Sequence, residues 1–149
     1  IIPGGESTTM TKLIRRNGLE APLRVFAHSH PIFGTCAGCI LMAQELADET
    51  HDVSPFGWLP IRVRRNAYGR QLDSFQQTIP VEGHPILAMF IRAPKIEWCA
   101  PEVEVLASHS GEPVLVRYNH FVAATFHPEL STDPFVHQLF LTMLSSSRR

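Results

Sequence analysis

Ile32-Phe33-Gly34-Thr35-Cys36-Ala37-Gly38, followed by Cys39-Ile40-Leu41-Met42, is the stretch from which the fold can be read. A short apolar run enters a turn that carries a glycine two residues either side of a cysteine, and a helix-prone segment, residues 39–47, leaves it. Strand, tight glycine turn and helix in that order are the grammar of a parallel α/β sheet. The serine counterpart of G-x-C-x-G is the nucleophile elbow of the α/β-hydrolases, where a strained turn lifts the nucleophile out of the sheet. Glycines at 34 and 38 let strand and helix approach closely. The first N–H groups of the helix favour a thiolate at Cys36, and the Ala37 N–H faces the place where an oxyanion would form. Two other readings compete. One is a buried cysteine in an ordinary β-to-α turn; the other takes Cys36-Ala37-Gly38-Cys39 as a C-x-x-C. Redox use needs both sulfurs near a helix start, which this spacing permits. Zinc needs two further ligands, and no second C-x-x-C or histidine pair supplies them.

Upstream, Ile1-Ile2-Pro3-Gly4-Gly5 reads as the end of a strand running into a turn. Residues are therefore expected to precede Ile1. Ser7–Arg16 reads as a helix, with Ser7 or Thr8 as N-cap and Asn17-Gly18 as its stop. A second helical stretch covers 22–27. Downstream, 59–63 and 77–81 are β-like. Residues 103–107, 114–118 and 121–126 are short strands, and the connections over 108–111 and at Asn119-His120 are short enough to make antiparallel hairpins. Thr132-Asp133-Pro134 opens a last helix, with Asp133 as cap, Pro134 at the first helical position and an apolar stripe over 136–144. The expected architecture is α/β: a mixed, mainly parallel sheet flanked by helices, in one domain over residues 1–149.

Composition narrows the function classes. The chain is 44% hydrophobic and 18% charged, which suits a soluble globular domain. A formal net charge of −1 leaves no bulk attraction for nucleic acid or an anionic membrane. The longest apolar stretch, 86–91, is far too short to span a bilayer. Three cysteines are an odd number and too few for a disulfide framework, so a reducing, cytoplasmic setting is expected.

A cysteine nucleophile needs a histidine to protonate the leaving amine and later to activate water. Of eight histidines, His127 stands out because it ends the strand over 121–126 and is followed by Pro128-Glu129. Side chains at i and i+2 of an extended segment point the same way, and Pro128 enforces extension at His127. Glu129 can then accept a hydrogen bond from the imidazole and fix its tautomer. His28, His30 and His51 lie in polar connections, and His109 and His120 read as turn residues. His84 precedes Pro85, and His137 falls on the terminal helix. None of these is given a role.

Five stretches, in order along nearly the whole chain, resemble class I (triad-type) glutamine amidotransferases, and more narrowly the glutaminase subunit of pyridoxal 5′-phosphate synthase. They are Pro3-Gly4-Gly5-Glu6-Ser7-Thr8-Thr9, Phe33-Gly34-Thr35-Cys36-Ala37-Gly38, Arg65-Asn66-Ala67-Tyr68-Gly69-Arg70-Gln71-Leu72-Asp73-Ser74-Phe75, Phe90-Ile91-Arg92-Ala93-Pro94 and Phe126-His127-Pro128-Glu129-Leu130. The cysteine and His-Pro-Glu motifs belong to the wider superfamily; the other three narrow it to the vitamin B6 branch. The resemblance implies a flavodoxin-like fold whose N-terminal strand and helix are missing from this chain. It implies a catalytic triad of Cys36, His127 and Glu129, with an oxyanion hole from the N–H groups of Gly5 and Ala37. Glutamine contacts are implied from Gly5, Glu6 and Ser7, from Arg65, and from Ile91 with Arg92. Glu6 suits the substrate's α-ammonium and an arginine its carboxylate. Which arginine does so stays open, and without the resemblance Arg62, Arg64, Arg65 and Arg70 read as a solvated basic stretch.

The implied reaction hydrolyses L-glutamine to glutamate and ammonia without metal or organic cofactor. The implied partner is the synthase subunit of a hetero-oligomer, which would take up the ammonia and on which activity would depend. An amidotransferase for another acceptor, or a truncated docking partner without activity, are the alternatives. Cys39 departs from the family, which usually carries an aliphatic residue there; oxidation could join it to Cys36.

Overall fold

A computed structural model of the chain describes residues 1–48, 50–67 and 74–146. The elements in chain order are α1 (Ser7–Arg16), α2 (Glu20–Ala27), β1 (Ile32–Thr35), α3 (Ala37–Met42), β2 (Ala43–Leu46), β3 (Leu59–Arg64), β4 (Ser74–Val81), β5 (His84–Ile91), β6 (Lys95–Cys99), β7 (Glu104–His109), β8 (Glu112–Tyr118), β9 (Phe121–Ala124) and α4 (Phe135–Ser146), with a 3₁₀ turn at Pro128–Leu130 between the last two.

The central sheet runs β1-β9-β8-β7. Its β1 and β9 are parallel and buried at every residue. Ile2 continues the parallel side through a bridge to Gly34, with its N–H on the Phe33 carbonyl at 2.8 Å and its carbonyl on the Thr35 N–H at 3.0 Å. Because side chains alternate across a strand, Ile32, Phe121 and Ala123 face one core, and Phe33, Val122 and Ala124 face another. The first core is completed by α3 and by a second sheet, β2-β3-β6, with Met10, Ile14 and Leu23 of α1 and α2 packed on it. The second is closed by α4 and by the β4-β5 hairpin, through Val136, Phe140, Ile79 and Ala88 among others.

Two expectations need correction. The sheet is mixed, but among the described residues antiparallel pairings prevail: β3-β6, β4-β5, β7-β8 and β8-β9 are antiparallel, whereas only β1-β9 and β2-β3 are parallel. The cause is local. Glu82-Gly83, Ser110-Gly111 and Asn119 adopt positive φ in tight turns, and such turns return the chain beside itself, while a parallel neighbour requires a long crossover. The expected helix over 39–47 starts at Ala37 and stops at Met42, and Ala43–Leu46 is a strand parallel to β3. Ala-Gln-Glu-Leu is a good helix former, so tertiary pairing overrides propensity here. Pairing continues past the strand, with the Ala47 N–H on the Val63 carbonyl at 2.8 Å. The last helix forms as expected but starts at Phe135, one residue later, so that Pro134 stands just before its first turn while Asp133 accepts the Phe135 N–H at 2.9 Å.

The elbow glycines are required by contact. A Cβ on Gly34 would lie 2.7 Å from the Gly38 carbonyl carbon, and a Cβ on Gly38 would overlap the Ile2 carbonyl oxygen. Both neighbours are backbone and cannot swing aside. Gly38→Ala is therefore expected to destabilise the fold by about 1–3 kcal/mol, the usual cost of overpacking, as a lower denaturant midpoint. An unchanged midpoint would mean that the strand–helix contact is slack.

Candidate active site

The parallel strands end at a cavity of about 360 Å³. Its walls come from five separate places in the chain: the turn into α1, the elbow, the turn after β3, the end of β5 and the segment after β9.

Cys36 stands at the elbow with φ 51° and ψ −106°, a conformation that costs a non-glycine residue about 1–3 kcal/mol. Its N–H is tied to the Ala124 carbonyl of β9 at 2.9 Å, which fixes the turn to the sheet. The thiol contacts the Ile91 carbonyl at 3.7 Å. Burial pushes the Cys36 thiol up; the Ala37 N–H pulls it down and the Glu129 charge pushes it up further. The Ala37 N–H at the helix start thus favours the thiolate as expected, but desolvation outweighs it in the resting site. Cys39 is fully buried among apolar side chains, and burial pushes its thiol up strongly as well. Among the described residues no three His, Cys, Asp or Glu side chains gather as metal ligands would.

His127 lines the same cavity, and its Nδ1 is 2.7 Å from Glu129 Oε1. The route to this pair differs from the extended one expected. His127 itself has φ −106° and ψ 87°, and Glu129 sits in the 3₁₀ turn that follows. The turn brings the carboxylate back onto Nδ1. With Nδ1–H donating to Glu129, Nε2 keeps its lone pair and is the nitrogen able to take a proton. The ring is placed from two sides: the His127 N–H is held by the Met89 carbonyl of β5 at 2.8 Å, and Gly4 passes so close that a Cβ there would overlap Cε1.

The turn into α1 supplies Gly5, Glu6 and Ser7. The N-cap of α1 is Glu6, not Ser7 or Thr8. Its Oε1 accepts the Thr8 N–H at 2.9 Å, and its Oε2 accepts the Thr9 N–H at 2.7 Å and the Thr9 hydroxyl at 2.8 Å. Three of about four acceptor positions of a carboxylate are filled, so Oε1 retains one. The Thr8 and Thr9 bonds lower the carboxyl to about 2, and Glu6 holds a full negative charge at the cavity rim.

Arg65, in the turn after β3, is mostly buried and does not behave as a solvated basic residue. Its Nε donates to Asp48 Oδ2 at 2.7 Å, its backbone N–H to Asp48 Oδ1 at 3.1 Å, and its Nη1 to Ser7 Oγ at 3.4 Å. Burial pushes the Asp48 carboxyl up, but the bonds and charge of Arg65 together outweigh it and hold Asp48 below its usual range. Arg62 and Arg64 instead lie exposed on β3, paired with Glu45 and Glu97. Ile91 and Arg92 close the cavity from the end of β5. Arg70, with the rest of the 68–73 part of its motif, lies outside the described residues. Cys36, Asn66 and Arg92 line the cavity at positive φ (51°, 48° and 44°), whereas the other non-glycine residues of this kind sit in hairpin turns.

Sequence reading missed Ile40 and Asn66 as lining residues and Asp48 as the partner of Arg65. Asn66 lay inside a quoted motif. Ile40 follows from the elbow, one helical turn beyond Cys36, but Asp48 meets Arg65 only through the pairing of β2 with β3, and no local spacing announces that.

A profile of the SNO glutamine amidotransferase family matches residues 1–146. The chain belongs to that family. It is 48% identical over 151 aligned positions to a pyridoxal 5′-phosphate synthase subunit PdxT from Mycolicibacterium vanbaalenii, covering 97% of this chain and 77% of that one. A subunit of the same name from Koribacter versatilis is 49% identical, with 97% and 74% covered. Among solved structures, a crystal structure of a glutamine amidotransferase superposes with a TM-score of 0.89 at 43% identity, over 96% of this chain and 77% of the other. The family is one of glutaminases that serve pyridoxal 5′-phosphate synthesis, and the chain has its α/β fold.

Two outcomes follow from the site's electrostatics. Glu6→Ala removes the cap of α1 and is expected to cost about 0.5–1 kcal/mol at neutral pH, given the exposure of the carboxylate. Since the folded carboxyl is lowered from 4.5 to about 2, the wild-type advantage is complete above the unfolded value and fades as pH falls through that interval. Denaturant melts at graded pH would show the two proteins converging in acid; a gap independent of pH would contradict it. For Cys36, alkylation by iodoacetamide followed by peptide mass mapping should be slow at neutral pH and accelerate as the solution becomes alkaline. Fast labelling at pH 6 would contradict the protonated resting thiol.

Proposed function

We propose that this chain hydrolyses L-glutamine to glutamate and ammonia through a γ-glutamyl thioester on Cys36. The ammonia passes to the synthase subunit of pyridoxal 5′-phosphate synthase, to which the chain docks as part of a cytoplasmic hetero-oligomer. The observation that carries the reading is the convergence on one cavity of a cysteine held in a strained elbow and a histidine whose Nδ1 is engaged by a carboxylate.

In this reading glutamine lies with its amide at Cys36. The Glu6 carboxylate receives the α-ammonium through its remaining acceptor position, and Arg65 receives the α-carboxylate through its Nη edge. Ser7, Ile91 and Arg92 complete the contacts. His127 Nε2 takes the thiol proton, and Glu129 stabilises the imidazolium that results. The sulfur attacks the amide carbon, and the N–H groups of Gly5 and Ala37 receive the oxyanion. Collapse of the tetrahedral species breaks the C–N bond as His127 returns the proton to the departing ammonia. Water, deprotonated by the same nitrogen, then opens the thioester to glutamate and restores the thiol. Every proton moves through His127, so no metal or organic cofactor is called for. The cost of ionising a buried thiol makes slow turnover the expectation for the isolated chain, with acceleration on docking.

The test is ammonia release from glutamine with the synthase subunit added. Cys36→Ala and His127→Ala should each lower kcat by at least about 10³-fold, and Glu129→Gln by less, about 10–10²-fold, because it orients rather than transfers. Release undiminished in Cys36→Ala would remove the nucleophile from the account. Synthase binding without release from any of the proteins would favour a docking partner without activity.

A further inference from the structure

One polar contact at the edge of the cavity has no part in the reading above: the Asp48 carboxylate wrapped around Arg65. We propose that Asp48 is the positioning residue that orients Arg65 toward the α-carboxylate of the substrate. The inference rests on the reading of the cavity as a glutamine site, and on the role of Arg65 within it.

Asp48 follows β2 and does not line the cavity. Its two oxygens grip a single residue at two points, Oδ1 on the backbone N–H at 3.1 Å and Oδ2 on Nε at 2.7 Å. A backbone bond and a side-chain bond to the same residue fix both the origin and the far end of a long side chain. An arginine loses up to about 2 kcal/mol of rotamer freedom when it is immobilised, and here that loss is taken before any ligand arrives. Consumption of the Nε edge leaves the Nη edge to face the cavity, where Nη1 reaches Ser7 Oγ at 3.4 Å beside the Glu6 carboxylate. The pair is also partly withdrawn from solvent, with 17% and 25% of the two side chains exposed, so screening weakens it little. The other arginine pairs on β3, Arg64 with Glu97 and Arg62 with Glu45, each have at least one partner markedly more exposed, and neither arginine reaches the cavity.

Loss of Asp48 therefore has two opposed effects. It frees net positive charge, which attracts any anion, and it releases the guanidinium from its orientation. The proposal states that orientation dominates. The asparagine variant separates the two, since its amide oxygen still accepts a bond from Arg65 while the charge is gone.

Calorimetric titration of L-glutamine into the chain with Cys36→Ala, which binds without turnover, provides the measurement, and the α-carboxamide of L-glutamine serves as the ligand without the anion. Asp48→Ala in that background should weaken glutamine by about 10-fold, as expected for a misplaced charge-assisted bond. It should change the α-carboxamide by less than about 2-fold, and Asp48→Asn should recover most of the glutamine affinity. Glu97→Ala, which breaks the exposed pair, should leave both ligands unchanged. With Cys36 restored and the synthase subunit present, Asp48→Ala should raise KM and leave kcat nearly intact. Equal losses for both ligands would reduce Asp48 to a general support of the cavity and overturn the proposal. Unchanged or tighter glutamine binding would overturn it as well. In both cases the glutamine reading survives, because the parent still binds; absence of glutamine binding by the parent itself would instead remove that reading and this inference with it.

Discussion

The carbonyl oxygen of Ile2 occupies the space where a side chain on residue 38 would be, and Gly38 in turn lies against Gly34. This three-way backbone contact lets the helix after Cys36 start immediately at the end of β1, with no intervening loop. It holds Cys36 in a backbone conformation that an exposed turn would relax, and it lines up the turn at Gly4 and Gly5 beside the elbow. The Gly4 contact with the His127 ring depends on the same alignment, since Gly4 follows directly from the Ile2 bridge. Cysteine, histidine and the turn into α1 are therefore positioned by one piece of packing rather than by three independent ones.

What that packing delivers is a site poised rather than primed. Burial keeps the Cys36 sulfur protonated, and its contact with the Ile91 carbonyl gives the proton somewhere to rest. Opposite charges are nonetheless kept ready at the rim. Glu6 is held ionised by the helix it caps, and Arg65 is gripped by Asp48 at its backbone N–H and its Nε. A zwitterion such as an amino acid matches a rim of this kind better than a simple anion does, because it meets a fixed charge of each sign.

The sequence made the elbow legible because its chemistry is local: two glycines, a cysteine and a helix-forming run within eleven residues leave few backbone solutions. The hairpins around Ser110-Gly111 and Asn119 were legible for the same reason. The cap of α1 is not legible in the sequence because Glu6 is a poorer cap by propensity than Ser7, and only its two oxygens together make it the better one. The end of α3 was illegible because Ala43–Leu46 is drawn into a strand by β3, which lies beyond a long connection. The predominance of antiparallel pairs is hidden in the sequence because β6 and the full extent of β4 and β5 carry no strong period of their own. His127 and Glu129 were recognised as a pair although the backbone joins them by a 3₁₀ turn rather than an extended run. Asp48 offered no sequence signal at all, since its partner is reached only after β2 and β3 align.

The central claim is that the sulfur of Cys36 becomes covalently bonded to the side-chain carbonyl carbon of glutamine. Acid-quenching the chain during turnover with the synthase subunit, followed by peptide mass mapping, tests it most directly. The account predicts a glutamyl increment on the peptide that carries Cys36, removed by hydroxylamine and absent from Cys36→Ser. Sustained ammonia release with that peptide unmodified at every quench time, or the increment on a peptide carrying Cys39 or Cys99 instead, would contradict it.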